Sequence, residues 1–236
     1  MNFSSENDIY LWAKYSLEDK QDQGKREAFK EKLQGYLEAS KAIPQKLKVW
    51  FWDESGFSLR VIRRKGWGKK GKRQKVTGQR RRGRVNVMGG VRYHDRKRVC
   101  YFIEKGNGES FYVQLEQLNE WVRQEWVEQG NRREDFEEKG PKILIILDNA
   151  SYHKKQTTLA LIEKKLPNIQ LYFLPAYSPD FNLIELWHSA KEYIAHRLFQ
   201  SVEELKQLLD RLLNQGELII KWRRKLKNKG NAVMAS

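Results

Sequence analysis

The amino-acid sequence predicts an α/β fold in which one mixed sheet is flanked by helices on both faces. Segments with strand and helix character alternate along the 236-residue chain, an order typical of a layered α/β domain. Residues 142–148 contain a continuous aliphatic run, which is typical of a parallel strand buried on both faces. Between Phe111 and Gly130 the apolar residues recur at helical spacing, so a helix is expected to cover the sheet.

The first 46 residues are charged and favour helix, and Pro44 ends their apolar pattern, so they predict a helical lead-in. We expect antiparallel strands at residues 47–53 and 57–62, joined by a turn at residues 54–56. Further strands are predicted at residues 85–91 and 99–103. The domain predicted from these elements spans residues 47–215, with a basic arm at 60–84 and a basic C-terminal tail at 216–236.

The second half of the domain is predicted to continue with a helix at residues 155–165 and a strand at 169–174. A long helix is expected to start near Phe181, with Asp180 as its N-cap, and a shorter helix at residues 202–214. The buried stripe of the long helix is expected to include Ile184, Trp187, Tyr193, Ile194 and Leu198.

The charge balance points to a polyanionic partner. Lys and Arg total 46 against 30 Asp and Glu, a formal net charge of +16, and such an excess favours nucleic acid. The basic arm is either a solvated loop or a surface that neutralises DNA phosphates; we favour the second. The expected DNA contacts there are Arg63, Arg64, Lys65, Lys69, Lys70, Lys72, Arg73, Arg80, Arg81 and Arg82.

Several classes of protein and site are excluded. No run approaches the roughly 18 apolar residues of a spanning helix, and no signal peptide opens the sequence, so we expect a cytoplasmic protein without a membrane partner. Cys100 is the single cysteine and there are four scattered histidines, which give no zinc-finger spacing. Any bound metal should therefore be held by oxygen.

Carboxylates follow two of the predicted strands. Asp53 and Asp148 each end an apolar run, and parallel neighbours would bring both to the edge where open α/β sheets form their sites. Glu185, expected one turn into the long helix, could lean across the same edge. Taken singly, these residues could be a turn residue, a strand-end cap and a solvated helix position.

Converged carboxylates repel one another unless a cation compensates them, and hard oxygen ligands suit Mg²⁺ or Mn²⁺. Two such ions about 3.5 to 4 Å apart can support in-line displacement at a phosphodiester. Convergence of the three carboxylates would therefore indicate metal-assisted attack on a DNA phosphodiester.

Three blocks around these acids carry a family resemblance. Residues 52–57 (Trp-Asp-Glu-Ser-Gly-Phe), 147–153 (Leu-Asp-Asn-Ala-Ser-Tyr-His) and 174–187, which contain Tyr-Ser-Pro-Asp-Phe-Asn, resemble the signature blocks of the IS630/Tc1/mariner transposases. The likeness runs from about residue 25 to the C-terminus, and the third block is the most specific.

The resemblance implies an RNase H-like fold with a mixed five-stranded sheet, and a catalytic Asp-Asp-Glu triad at Asp53, Asp148 and Glu185 with Mg²⁺. It also implies cut-and-paste transposition by a homodimer, with transposon ends and a TA-containing target as the DNA partners. A glutamate as third acid is typical of the insertion-sequence branch, which implies a bacterial, nucleoid-associated protein.

The sequence departs from that family at its start. Fewer than 50 residues precede the first predicted strand, whereas family members carry N-terminal helix-turn-helix modules there. The chain is therefore expected to come either from a split element, in which a separate helix-turn-helix chain recognises the element ends, or from a degraded copy. Two alternatives stay open: a catalytically silent DNA-binding remnant of an insertion element, and a cellular RNase H-like nuclease. The nuclease would explain the acids but not the third block.

Four polar residues near the acids have expected roles apart from the triad. His153 is expected to contact a DNA phosphate or a metal-bound water, or to make a hydrogen bond at a helix entry. His188 is expected to be a partly exposed spectator rather than a partner of Glu185. Asn149 and Asn182 are expected to fix local turns.

Overall fold

The computed structural model describes residues 22–61, 75 and 81–218, and these form a five-stranded sheet with helices on both faces. The strands are β1 Leu47–Ser58, β2 Arg84–Arg92, β3 Arg98–Ile103, β4 Lys142–Leu147 and β5 Ile169–Phe173. The helices are α1 Gln23–Ala42, α2 Gly108–Glu128, α3 Phe136–Lys139, α4 Gln156–Lys165, α5 Leu186–Tyr193 and α6 Val202–Leu213.

The sheet is mixed, as the sequence predicts. Its order is β3-β2-β1-β4-β5; β2 pairs antiparallel with both β1 and β3. On the other side, β1 pairs parallel with β4, and β4 pairs parallel with β5. The aliphatic run of β4 lies between two parallel neighbours and is buried on both faces, which is why its sequence shows no alternation.

β1 is longer than predicted, and the expected turn at residues 54–56 is wrong. One strand runs through to Ser58, with Glu54 opposite Met88 and Gly56 opposite Asn86. The missing side chain of Gly56 lets the guanidinium of Arg84 cross the strand there, because an added Cβ would overlap it. Pairing with β2 thus overrides the local turn composition.

The two faces of the sheet build two apolar clusters. Strand alternation sends Phe51 and Phe57 of β1 to the cluster that includes α1, α5 and α6 residues, and sends Trp50 and Trp52 to the cluster that includes α2 residues. α1 contributes three buried side chains to the first cluster: Phe29, Leu33 and Leu37. The expected lead-in therefore shares the core of the domain.

The helix after β5 differs most from the prediction. Pro179–Phe181 form a single 3₁₀ turn, and α5 begins at Leu186 rather than near Phe181. Asp180 caps no helix; it pairs with Arg26 of α1. His196 has φ of 63°, a left-handed conformation that cannot continue a helix. Tyr193 and Leu198 are exposed instead of lining the predicted stripe.

The remaining elements lie within a few residues of their predicted bounds. Ile184, Trp187 and Ile194 are buried as expected, and Cys100 is a buried free thiol. Within the described ranges, no helix is both long and apolar enough to cross a membrane.

Candidate active site

Asp53 and Asp148 lie at the end of the parallel pair that β1 and β4 form. That pairing extends to Phe51 opposite Ile146, and each aspartate follows two residues later on its own strand. β4 ends at Leu147, while β1 continues beside β2 with Asp53 opposite Gly89. The two carboxylates thus stand next to each other where β4 stops.

The Asp53 carboxyl group lies in surroundings that disfavour its charge. Burial, the adjacent Glu54 and the nearby Asp148 together raise the pKa of Asp53 to about 7. The backbone N–H of Glu54 donates to its Oδ1 at 2.9 Å, and Lys191 of α5 also opposes the shift. A raised carboxyl pKa among like charges indicates a position that a bound cation would stabilise.

Asp148 is more open and is held by two hydrogen bonds. Its side chain is 54% exposed, and its Oδ1 accepts from the backbone N–H of Ala150 at 3.0 Å and contacts His153 Nδ1 at 3.0 Å. The hydrogen bond from His153 is the main reason that the pKa of Asp148 lies below its usual value. The carboxylate is therefore kept ionised and oriented.

His153 bridges Asp148 to Glu54. Its ring is 1% exposed, and Nε2 lies 2.8 Å from Glu54 Oε1. Burial alone would lower the pKa of His153, but the hydrogen bonds to Asp148 and Glu54 outweigh it and raise this pKa to about 9. The ring is thus buried with both nitrogens facing carboxylates, and the expected contact with a DNA phosphate stays a prediction.

Glu185 stands directly before α5, not one turn into a helix as predicted. The chain just before it is tied to β1, since Asn182 Nδ2 donates to the carbonyl of Trp52 at 3.2 Å. Across the residues that the structure describes, no three His, Cys, Asp or Glu side chains are grouped so that they could hold a metal ion. The structure therefore places Asp53 and Asp148 together where β4 ends, and Glu185 at the start of α5.

The chemistry of Asp53 and Asp148 fits a divalent cation. Both supply hard carboxylate oxygens, the ligands that Mg²⁺ and Mn²⁺ prefer. The raised pKa of Asp53 reflects first its burial and then the negative charge of Glu54 and Asp148, and a bound cation would compensate that charge.

The two asparagines act as the sequence predicts. Asn182 Oδ1 accepts from the backbone N–H of Ile184 at 3.2 Å, so its side chain shapes the turn before α5. Asn149 Nδ2 donates to the carbonyl of Leu174, which joins the chain after β4 to the end of β5. His188 is 68% exposed and lies 3.9 Å from Glu192, in keeping with a spectator.

Sequence reasoning missed three residues around the site. Glu54 could have been found from its place beside Asp53 in the first block, and Tyr152 from its place in the second block. Burial raises the pKa of Tyr152 most, and the charge of Glu54 and a hydrogen bond to Glu54 raise it further. No sequence pattern indicated the role of Arg26, because its partners Ser178 and Asp180 are 152 and 154 positions away along the chain.

Most of the predicted DNA contacts in the basic arm fall outside the described residues: Arg63, Arg64, Lys65, Lys69, Lys70, Lys72, Arg73 and Arg80. Arg81 and Arg82 are described and exposed. The Arg81 guanidinium donates to the carbonyl of Gln200, so the end of the arm is attached to the turn before α6.

The chain is similar in fold to solved structures of Mos1 transposase. It aligns with a paired-end complex with Mg at a TM-score of 0.62 and 19% identity, covering 89% of this chain and 60% of that one. The complex with the left transposon end gives 0.60 and 18%, covering 88% and 58%. The isolated Mos1 catalytic domain gives 0.53 and 16%, covering 86% and 85%.

The chain thus spans less than two thirds of the length of the longer Mos1 chains. The similarity in fold confirms the predicted RNase H-like architecture with a mixed five-stranded sheet. A comparison with curated protein sequences finds no match. The family model described as DDE superfamily endonuclease matches residues 48–206, which include Asp53, Asp148 and Glu185. The chain therefore belongs to the family of DDE superfamily endonucleases.

Proposed function

We propose that this chain is the catalytic part of a DNA transposase, which cleaves DNA strands and transfers their ends in the presence of Mg²⁺ or Mn²⁺. The observation that carries the proposal is the placement of Asp53 and Asp148 side by side beyond the last parallel pair of β1 and β4. Membership of an endonuclease family supports the same reaction class.

Asp53 and Asp148 would hold the metal, with Glu185 as the third ligand. Glu185 is supported by its position at the start of α5, behind a segment anchored to the residue before Asp53. Lys191 of the same helix is close enough to act on the Asp53 carboxyl group. Two bound divalent ions would supply charge stabilisation to the attacking and leaving oxygens of a phosphodiester.

The chain's own residues prepare that site. Burial around Asp53 excludes water from one side of it, while the bonds to Ala150 and His153 hold Asp148 Oδ1. Electrostatic interactions of this kind are stronger in a partly dehydrated site than in water.

The proposed substrates are transposon ends and a target with a TA step. Mos1 transposase has been solved in paired-end complexes with a transposon end and with Mg or Mn. We propose that this chain likewise binds DNA ends and these ions. A homodimer would bring two ends together.

The test is strand transfer from precleaved duplex ends into a TA-rich plasmid with Mg²⁺ or Mn²⁺. We expect products from the wild-type chain and none from Asp148→Ala or Glu185→Ala. Asp135→Asn, in the turn before α3 and paired only with an exposed lysine among the described contacts, is the matched control and should leave the products unchanged.

Activity that survives Asp148→Ala would refute the triad. Salt-sensitive DNA binding without any product in either metal would indicate a silent remnant instead. Preferential cleavage of RNA-DNA hybrids, with no strand transfer, would indicate a cellular nuclease.

A further inference from the structure

We infer that His153 and Glu54 are positioning residues, which orient Asp148 for metal binding through a bridge from β1 to the chain after β4. This inference rests on the proposed function, because it concerns the metal ligand Asp148. It accounts for two residues of the sequence blocks, Glu54 and His153, that the proposed reaction does not otherwise use.

Asp148 needs an external restraint. It follows the last residue of β4 and its side chain is 54% exposed, so neither sheet pairing nor packing fixes its rotamer. Its hydrogen bonds from Ala150 and His153 both fall on Oδ1. Among the described residues no contact of Oδ2 is seen, which leaves that oxygen available to a metal ion.

His153 can restrain the Asp148 side chain because its own side chain is held in one position. Its ring is 1% exposed and packs between Phe111 and Tyr152, with centroids at 4.4 and 4.3 Å. Its backbone N–H also donates to the carbonyl of Ala150 at 3.0 Å. The side chain is therefore held at both its backbone and its ring.

Glu54 fixes the far end of the ring. Its carboxylate lies 2.8 Å from His153 Nε2 and is 20% exposed, and β2 pairs with its backbone through Met88. Because Glu54 neighbours Asp53 on β1, the bridge couples the positions of the two proposed metal ligands beyond the point where β1 and β4 stop pairing.

Groups that hold a metal ligand in place contribute to affinity without touching the metal, and their loss typically costs about 10- to 100-fold in metal affinity or activity. The bridge is directional, which permits a sharper test than removal of the ring. An asparagine amide can replace the imidazole nitrogen that faces Asp148, whereas a glutamine amide can replace the one that faces Glu54.

The experiment measures Mn²⁺ affinity by titration calorimetry on the full chain, alongside strand transfer as a function of metal concentration. We expect His153→Gln to weaken Mn²⁺ binding by roughly 10- to 100-fold and His153→Asn to weaken it less. Glu54→Ala should weaken it too, and Glu54→Ala combined with His153→Gln should be no worse than His153→Gln alone, because both act through Asp148.

His196→Asn is the matched control, since His196 is exposed in a left-handed conformation that asparagine tolerates. It should leave affinity unchanged. Thermal unfolding of each variant separates lost folding from lost affinity; a folded His153→Gln with wild-type Mn²⁺ affinity, or fully additive losses in the double variant, would overturn the inference. Loss of binding in Asp148→Ala with no change in His153→Gln refutes the bridge alone, whereas binding and transfer that survive Asp148→Ala refute the proposed function.

Discussion

Asp53 and Glu54 are adjacent in the sequence, yet they take part in different contacts because successive strand residues point to opposite faces. Asp53 shares the sheet edge with Asp148, and burial and neighbouring charge raise its pKa. Glu54 instead reaches the buried ring of His153. Asp53 is thus a proposed metal ligand, whereas the next residue, Glu54, supports the other proposed ligand, Asp148, through His153.

A second charged cluster lies at the other end of β1 and contains no proposed catalytic residue. The Arg92 guanidinium is 2% exposed and contacts Glu125 of α2 and Asp95, and Lys48 and Lys97 also approach Glu125. Although burial favours the neutral acid, hydrogen bonds from Arg92 and Lys97 lower the pKa of Glu125 to about 2. The cluster joins α2 to the sheet.

Glu125 is expected to make stability depend on pH. Its folded pKa lies below the unfolded value of 4.5, so its contribution is complete above about pH 4.5 and is lost as the pH falls towards 2. A shift of this size corresponds to roughly 3 kcal/mol. Urea unfolding between pH 3 and 7 should show Glu125→Gln less stable at neutral pH, by about 3 to 5 kcal/mol, with a weaker pH dependence.

The matched control for this measurement is Glu163→Gln, an exposed position on α4, which should stay within about 0.5 kcal/mol of wild type. If the unfolding free energies of wild type and Glu125→Gln fall in parallel with decreasing pH, Glu125 does not carry the effect.

At the scale of elements, α1 and the segment after β5 behave as one unit. Arg26 of α1 is buried, pairs with Asp180 at 2.8 Å and lies over the Phe181 ring at 4.6 Å. Phe29 stacks on Phe181 and Tyr172, at 5.5 and 4.7 Å between centroids. The first helix therefore holds the irregular chain that leads to Glu185.

Removal of this anchor should affect both stability and the proposed reaction. We expect Arg26→Ala to lower the free energy of unfolding by about 2 to 3 kcal/mol, because it leaves Asp180 and Ser178 without a charged donor. Strand transfer should fall further than the folded fraction does, since the segment carries Glu185. Chemical denaturation and strand-transfer assays on the same preparations measure both effects.

The adjacent Lys25→Ala is the control for Arg26→Ala. Lys25 is 81% exposed and pairs with Asp22 at the helix start, and exposed pairs contribute about 0 to 1 kcal/mol. Equal effects of the two substitutions would show that Arg26 has no special role.

At the scale of the whole molecule, the formal charge of +16 is spread over a chain whose candidate site is acidic. Such a distribution suits a protein that binds the DNA backbone broadly and holds metal locally. The basic arm at residues 60–84 adjoins the end of β1, the strand that carries Asp53.

DNA binding should therefore depend steeply on salt. For each phosphate contact, the slope of log affinity against log salt is about −0.9, so replacing Arg63, Arg64, Lys65, Lys69 and Lys70 by alanine should make the slope shallower by up to about 4.5. Fluorescence anisotropy of a duplex between 50 and 200 mM salt measures this change.

A control variant removes the same charge elsewhere, at five exposed lysines: Lys25, Lys32, Lys46, Lys164 and Lys165. It should change the slope much less. If both variants change the salt slope equally, net charge drives DNA binding, and the basic arm is not a specific surface for DNA contact.

Local sequence patterns suffice to predict the mixed sheet, the order of its elements and the placement of Asp53 and Asp148 at one edge. These features depend on local patterns, since apolar runs and periodicity record burial, and a carboxylate that ends a run marks a strand end. The local turn composition at residues 54–56 misled, because the pairing of β1 with β2 is decided by residues about 30 positions away.

The start of α5, the bridge from Glu54 to His153 and the anchor at Arg26 depend on tertiary packing and could not be predicted from the sequence. The partners in the bridge are 99 positions apart, and those in the anchor are up to 154 apart. A hydrogen bond between distant residues leaves no periodic trace in a single sequence, because it depends on which surfaces the packed elements bring together.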